Sequence, residues 1–274
     1  MSAASWGGSD FFGGLGARRA PALLIVISGQ IVSLSLLLAL CGGMHQALPA
    51  TRFLVCAAVG GFEGSLALAL FYRALAMGAM GLTAALTGLL TALIPVVFTM
   101  FHDGLPSPLT AVGLTMGVAA IGLITRTSTA AEPVATANST PPAALLLGAL
   151  SGIGFGTQLI FFKMAGDGGI LWAMTSTRVA GVAALLLVLA VMRPKAPWRG
   201  FWLVGILAGA LDTIGNLFFL EAAHLGRLDV AAVVCSLYPG GTILLAAIVL
   251  RERPTRRQMA GIAVALTAVV LLSL

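Results

Sequence analysis

Charge is what this sequence has least of. Only 9% of its 274 residues are Asp, Glu, Lys or Arg, against about a quarter in an average soluble domain. So few charges cannot cover the surface of a water-soluble chain of this length, and a soluble globule is excluded. Cysteine is also scarce. Cys41, Cys56 and Cys235 lie in or beside apolar runs with no ligand spacing, so they read as small core hydrophobes rather than a disulfide framework or a metal site. The three histidines, His45, His102 and His224, are isolated. There is no Gly-x-Ser-x-Gly elbow and no Gly-x-x-x-x-Gly-Lys phosphate loop. These gaps argue against an enzyme, against direct ATP drive, and for no metal and no cofactor. A basic run interleaved with aromatics is missing too. The net charge of +6 falls between apolar segments, where Lys and Arg meet lipid headgroups, so no nucleic-acid partner is expected. The first segment lacks a basic n-region, and no cleavable signal is expected.

What the chain has is apolar length. Hydrophobic residues make up 59% of it and the mean hydropathy is +1.06. Runs without charge cover 21–41, 74–101, 106–125, 141–162, 230–250 and 258–274. Runs with one charge cover 53–72 with Glu63, 168–192 with Arg178, and 200–220 with Asp212. With 2–17, which holds Asp10, that makes ten segments. About 20 apolar residues span a bilayer. The expected fold is therefore an all-α integral membrane protein with ten transmembrane helices.

The halves repeat one another at a nearly constant offset. Gly8-Ser9-Asp10 falls on Gly156-Thr157-Gln158, Ser28-Gly29-Gln30 on Ser176-Thr177-Arg178, Phe71 on Phe219, and Pro106-Ser107 on Pro254-Thr255. Residues 1–126 and 143–274 are read as two five-helix repeats. Residues 127–142, rich in Ser, Thr, Ala and Pro, are read as their linker. Five is odd, so the second copy enters the membrane upside down, the inverted arrangement of many secondary transporters. Glycines four apart occur at Gly60 and Gly64, at Gly113 and Gly117, at Gly148, Gly152 and Gly156, and at Gly205 and Gly209. They allow close helix contact and are read as packing within the bundle, so a monomer is expected rather than a dimer.

Several short motifs occur in order along the chain. Trp6-Gly7-Gly8-Ser9-Asp10-Phe11 lies in the first segment and Ala74-Leu75-Ala76-Met77-Gly78 before the fourth. Leu237-Tyr238-Pro239, then Leu250-Arg251-Glu252-Arg253, mark the ninth and its exit, and Gly261 lies in the tenth. With the repeat, this pattern resembles the drug/metabolite transporter superfamily, in particular its EamA-type ten-helix branch. The resemblance covers nearly the whole chain. It implies a ten-helix transporter, often an exporter of metabolites or drugs, in a plasma membrane such as the bacterial inner membrane. It also implies cytoplasmic termini. The charge pattern implies the opposite, because Arg18, Arg19, Arg193, Lys195, Arg199, Arg251, Arg253, Arg256 and Arg257 all fall in odd-numbered loops. Both readings put the two termini on one side.

The candidate site is built from charges inside the spans. A carboxylate at the bilayer centre costs roughly 2.5–3.5 kcal/mol on insertion scales, which makes Glu63 and Asp212 candidates for substrate or ion binding, with protons as a candidate coupling ion. Asp10 and Arg178 are further candidates. Arg178 could form a structural ion pair, with Asp10 as the suggested partner, or bind a substrate anion. Asn216 follows Asp212 by four residues and shares its helix face. Gln158 stands at Asp10's place in the other repeat, while Ser9, Trp6 and Tyr238 add polar and aromatic contacts. Pro95 and the run Pro239-Gly240-Gly241 are expected to break the matching fourth and ninth helices, as gates or as packing kinks. The expected cavity is lined by helices 1, 3, 4, 6, 8 and 9. The expected activity is secondary transport of small molecules by alternating access. The rival is a membrane-embedded interaction protein or enzyme subunit on the same scaffold.

Overall fold

The computed structural model describes residues 1–17, 19–43, 47–77, 80–125, 142–193, 201–238, 240, 241, 245, 248 and 256–273. Its elements are helices: α1 (Ser2–Ala17), α2 (Ala22–Gly43), α3 (Thr51–Ala76), α4 (Met80–His102), α5 (Pro108–Thr125), α6 (Pro142–Gly166), α7 (Ile170–Met192), α8 (Phe201–Leu225), α9 (Leu228–Cys235) and α10 (Arg256–Ser273). Most of the 127–142 stretch lies outside the described residues, but its last member, Pro142, opens α6. Long apolar runs take this form because a helix satisfies its own backbone where water cannot. Among the described residues, five helical stretches are long and apolar enough to cross a bilayer: Ala22–Gly43, Thr51–Ala74, Pro142–Gly166, Ile170–Met192 and Trp202–Leu225. Shorter apolar stretches run over Leu86–His102 and Pro108–Ala120.

A set of polar side chains lies inside the bundle while large apolar ones face outward. Gln30, Ser33, Ser65, Arg178, Thr213 and Asn216 are buried, while Leu36, Val55, Phe62, Leu186, Leu187 and Leu203 are exposed. An apolar exterior around a polar interior suits a bilayer. The helix ends use local chemistry. The Ser107 hydroxyl accepts a hydrogen bond from the Thr110 N–H at 3.1 Å and caps α5. Gly104, at φ 85°, reverses the chain between α4 and α5. Between α8 and α9, Arg227 donates to both oxygens of Asp229, at 3.1 and 2.9 Å. That hydrogen bonding raises the Arg227 pKa further above its already high value.

The expected breaks differ from those observed. Helix α4 runs continuously through Pro95. Proline brings no N–H for the carbonyl of Thr91, and nearby hydroxyls turn onto the helix backbone: Thr91 Oγ1 donates to Thr87 O at 2.8 Å and Thr99 Oγ1 to Pro95 O at 2.6 Å. One lost bond within a supported helix does not end it. Helix α9 does stop, at Cys235, followed by a turn at Ser236 and Leu237. Pro239 lies outside the described residues, whereas Gly240 and Gly241 are again helical.

Helix packing obeys an exchange rule between the halves. α1 packs on α8 as α6 packs on α3, and α2 packs on α8 as α7 packs on α3. α2 meets its counterpart α7, α4 meets α9, and α5 meets α10. The rule extends to atoms. On α2 and α8, Gly29 and Gly209 press backbone to backbone, and a Cβ on Gly29 would lie 2.8 Å from Gly209 Cα. Their counterparts are Thr177 on α7 and Gly61 on α3, which press together in the same way. The other small residues also serve contacts within the chain. Gly152 faces Thr87 and Gly156 faces Ile94, while the Thr87 hydroxyl donates to Gly148 O at 2.9 Å.

Candidate functional site

The site begins with Arg178, near the middle of α7 and buried. A guanidinium in an apolar bundle needs partners for its donors, and each of its three nitrogens has one. Nη2 meets Asp212 Oδ2 at 2.6 Å, Nη1 donates to Gln30 Oε1 at 3.1 Å, and Nε donates to Ser33 Oγ at 2.9 Å. Gln30 is Arg178's counterpart in the other half, so the two equivalent positions touch each other across the α2–α7 contact. Asp212 Oδ2 also accepts from Asn216 Nδ2 at 3.0 Å, one helical turn further along α8. Around this pair Ser33 bonds the Thr213 hydroxyl at 2.6 Å, and Gln30 Nε2 donates to Ser65 Oγ at 3.2 Å. The partner of Arg178 is thus Asp212 and not Asp10. Adjacency in the fold follows the α7–α8 packing around α2, which the linear repeat does not reveal.

A cavity with about 610 Å³ of empty space, open mouth included, adjoins this network. It brings together Trp6, Ser9, Asp10, Gln158, Arg178, Asp212, Asn216 and Tyr238 from the expected set. Trp6 and Asp10 stand four residues apart on one face of α1. The Trp6 ring rests on Gly215 of α8, stacks on Phe219 with centroids 5.8 Å apart, and meets Tyr238 edge-on at 6.5 Å. Opposite, Phe71 and Phe155 make an edge-on pair at 5.9 Å and also line the cavity. A smaller recess of about 280 Å³ shares Ser9, Gln30, Arg178 and Asp212 and extends toward Ser33 and Tyr72. Among the described residues, no group of three or more His, Cys, Asp or Glu side chains could hold a metal ion.

Glu63 stands elsewhere. It lies at the seam of α3 and α6, where its Oε1 accepts from Thr157 Oγ1 at 2.6 Å, and it lines neither cavity. Its neighbour Gly64 lines the larger cavity, and the Gln158 side chain fills the space where a Cβ on Gly64 would stand. The cavity also draws on α2 and α7, through Gln30 and Arg178, beyond the six helices expected. Pro95 is not among its lining residues. Gly240 and Gly241 follow the break after α9, with a Cβ on Gly241 placed 3.4 Å from Ala3 O. Sequence reasoning missed Gln30, Ser33, Phe71, Thr91 and Phe155 as site residues. A usable signal existed for the first two: polar side chains three apart in an otherwise apolar run share one helix face.

An apolar helical bundle around a cavity lined by Asp10, Arg178 and Asp212 is consistent with a membrane transporter fold. Residues 142–274, just under half of the chain, match the model of the EamA-like transporter family, a match that implies a membrane transporter of the drug/metabolite type. An uncharacterized protein of Methanocaldococcus jannaschii is 24% identical over 132 residues, which is 48% of this chain and 96% of that protein. One solved crystal structure aligns over 98% of this chain and 94% of its own, with a TM-score of 0.76 and 15% identity. At that identity the likeness concerns the fold.

Proposed function

We propose that the chain is a secondary active transporter that exports small metabolites, amino acids or drug-like amphiphiles, by alternating access of two inverted five-helix repeats in a plasma membrane. The observation that carries this reading is the Arg178–Asp212 network beside the open cavity. Ionisable groups inside a membrane bundle are costly and characteristically mark substrate or ion pathways, and this one lies where the halves meet. Three observations support two repeats: the exchange rule in helix packing, the mirrored Gly29–Gly209 and Thr177–Gly61 contacts, and the matching of a protein about half as long. In this reading the site is shared between the repeats, and the α9 break beside α1 lets one face open while the other closes.

The test is flux. Purified protein in sealed vesicles is expected to move a ligand found by thermal-shift screening against its gradient when a proton gradient is imposed, and Asp212→Asn is expected to abolish most of that flux. Binding without flux for every ligand found would favour the scaffold reading, an interaction protein or enzyme subunit, and refute the transporter.

A further inference from the structure

The charges lining the cavity do not balance, and the imbalance selects a ligand. Asp10, Arg178 and Asp212 are the charged residues of its wall. Each of the three Arg178 nitrogens already has a partner: Asp212, Gln30 and Ser33. Asp212 is engaged through Oδ2, which receives both Arg178 and Asn216. Asp10 remains. Among the described residues no Lys, Arg or His nitrogen lies within 4.0 Å of its carboxylate. The residue is half-buried and lines the cavity, while its neighbours Ser9 and Phe11 are buried.

The two halves differ at this point. Asp10's counterpart is Gln158, a neutral side chain that fills the place a side chain at Gly64 would take. Gly64 is itself the counterpart of Asp212. Asp10 and Asp212 are thus acidic where their counterparts Gln158 and Gly64 are neutral, and the described wall carries two carboxylates against one guanidinium. The net charge of the wall is negative, and its open pole lies at Asp10. Aromatic rings flank that pole: Trp6 one turn before Asp10, Tyr238 edge-on to Trp6, and Phe71 with Phe155 across the space. Ring faces attract cations, most strongly where water is excluded. An anionic ligand would meet an unpaired carboxylate and a guanidinium whose three nitrogens already donate to Ser33, Gln30 and Asp212.

We propose that this cavity binds an organic monocation, an aryl-bearing amine or ammonium, with its charge against Asp10 and its apolar body between Trp6, Tyr238 and Phe71. This deepens the transport reading and rests on it only for what happens after binding. It assigns Arg178 to holding Asp212 and the α2–α7–α8 contact, not to receiving a substrate carboxylate.

Binding to purified full-length protein in nanodiscs tests it, by calorimetry and by quenching of tryptophan fluorescence. The probes are 2-phenylethylamine, its neutral analogue 2-phenylethanol and the anionic 3-phenylpropionate. The amine is expected to bind at least about tenfold more tightly than either analogue, the scale of losing one close charge pair. Asp10→Asn should weaken amine binding by about tenfold or more and leave the alcohol unchanged, while Asp10→Glu should retain the preference for the amine. Trp6→Phe should remove most of the quenching. Tightest binding of the phenylpropionate would overturn the proposal, as would an amine affinity indifferent to Asp10→Asn in a folded protein. Sodium competing with the amine through Asp10 while the three aryl probes bind alike would overturn it in favour of an inorganic cation site. Vesicle flux separates the two readings. Asp10-dependent amine binding without transport refutes transport alone, and transport of an anion without amine binding refutes the cation seat alone.

Discussion

The Arg178–Asp212 pair is a charge held inside a membrane bundle, and removing either partner strands the other. Arg178→Ala leaves the Asp212 carboxylate with Asn216 but no cation, a loss of about 3–5 kcal/mol by analogy with buried pairs in soluble proteins. The expected outcome is a lower melting temperature in detergent and reduced membrane yield. Adding Asp212→Asn should recover part of both, because a neutral amide no longer needs the guanidinium. A melting temperature equal to the parent's for Arg178→Ala alone would mean that water already screens the pair. Glu63 is the instructive contrast. The sequence presents it and Asp212 identically, each the single charge of a long apolar run. Hydropathy registers how deep a charge sits along the chain but not which way its helix is turned, and that rotation sends one to the cavity and the other to the α3–α6 seam. Glu63→Gln keeps an oxygen for the Thr157 hydroxyl, so its effect on stability should stay within about 0.5 kcal/mol and its flux near the parent's. A severe transport defect in a normally folded Glu63→Gln protein would put Glu63 back in the transport pathway.

At the scale of the helices, the small residues decide which elements can touch. The α2–α8 crossing brings Gly29 and Gly209 so close that a Cβ on either would strike the other's backbone, which cannot rotate away as a side chain can. Gly209→Ala is expected to force the helices apart and cost about 1–3 kcal/mol, the usual range for overpacking, seen as a lower melting temperature. Gly42→Ala, where a Cβ meets nothing within 4 Å, provides the control and should be neutral or slightly stabilising, since alanine favours helix. Equal effects of the two would show that the crossing is not tightly held. This much was legible beforehand: glycines spaced by four announce close packing, and apolar run lengths announce the long helices. The behaviour of Pro95 was not legible in the same way. A proline removes one bond wherever it stands, but whether the helix then stops depends on what supports the next turn. Around Pro95 the helix continues, whereas near Pro239 the stop comes earlier, at Cys235.

Across the whole molecule, near-symmetry in packing coexists with asymmetry in charge. The repeat positions Gln30 and Arg178, Gly64 and Asp212, and Gln158 and Asp10 match in place but not in chemistry, so an exchange of shapes between the halves would leave the charge of the cavity at one end. If the cavity opens alternately to each side, the halves must shift against each other along the α2–α7 contact that joins them. A native thiol offers a means to stop that motion. Cys41 Sγ, near the end of α2, lies 3.3 Å from Thr175 Oγ1 on α7, so a thiol at position 175 would stand within reach of a bond to it, given the roughly 5.5–6 Å Cα separation that disulfides prefer. In Thr175→Cys, with Cys56 and Cys235 changed to Ser, mild oxidation is expected to join α2 to α7 and halt vesicle flux, while ligand binding persists and reductant restores transport. The same variant with Cys41→Ser should be indifferent to oxidant. If the oxidised protein forms the bond, as read by mass spectrometry, and still transports at the parent's rate, then the α2–α7 contact is a fixed hinge line. The alternation must then be carried by α1, α9 and the segment around Gly240 and Gly241.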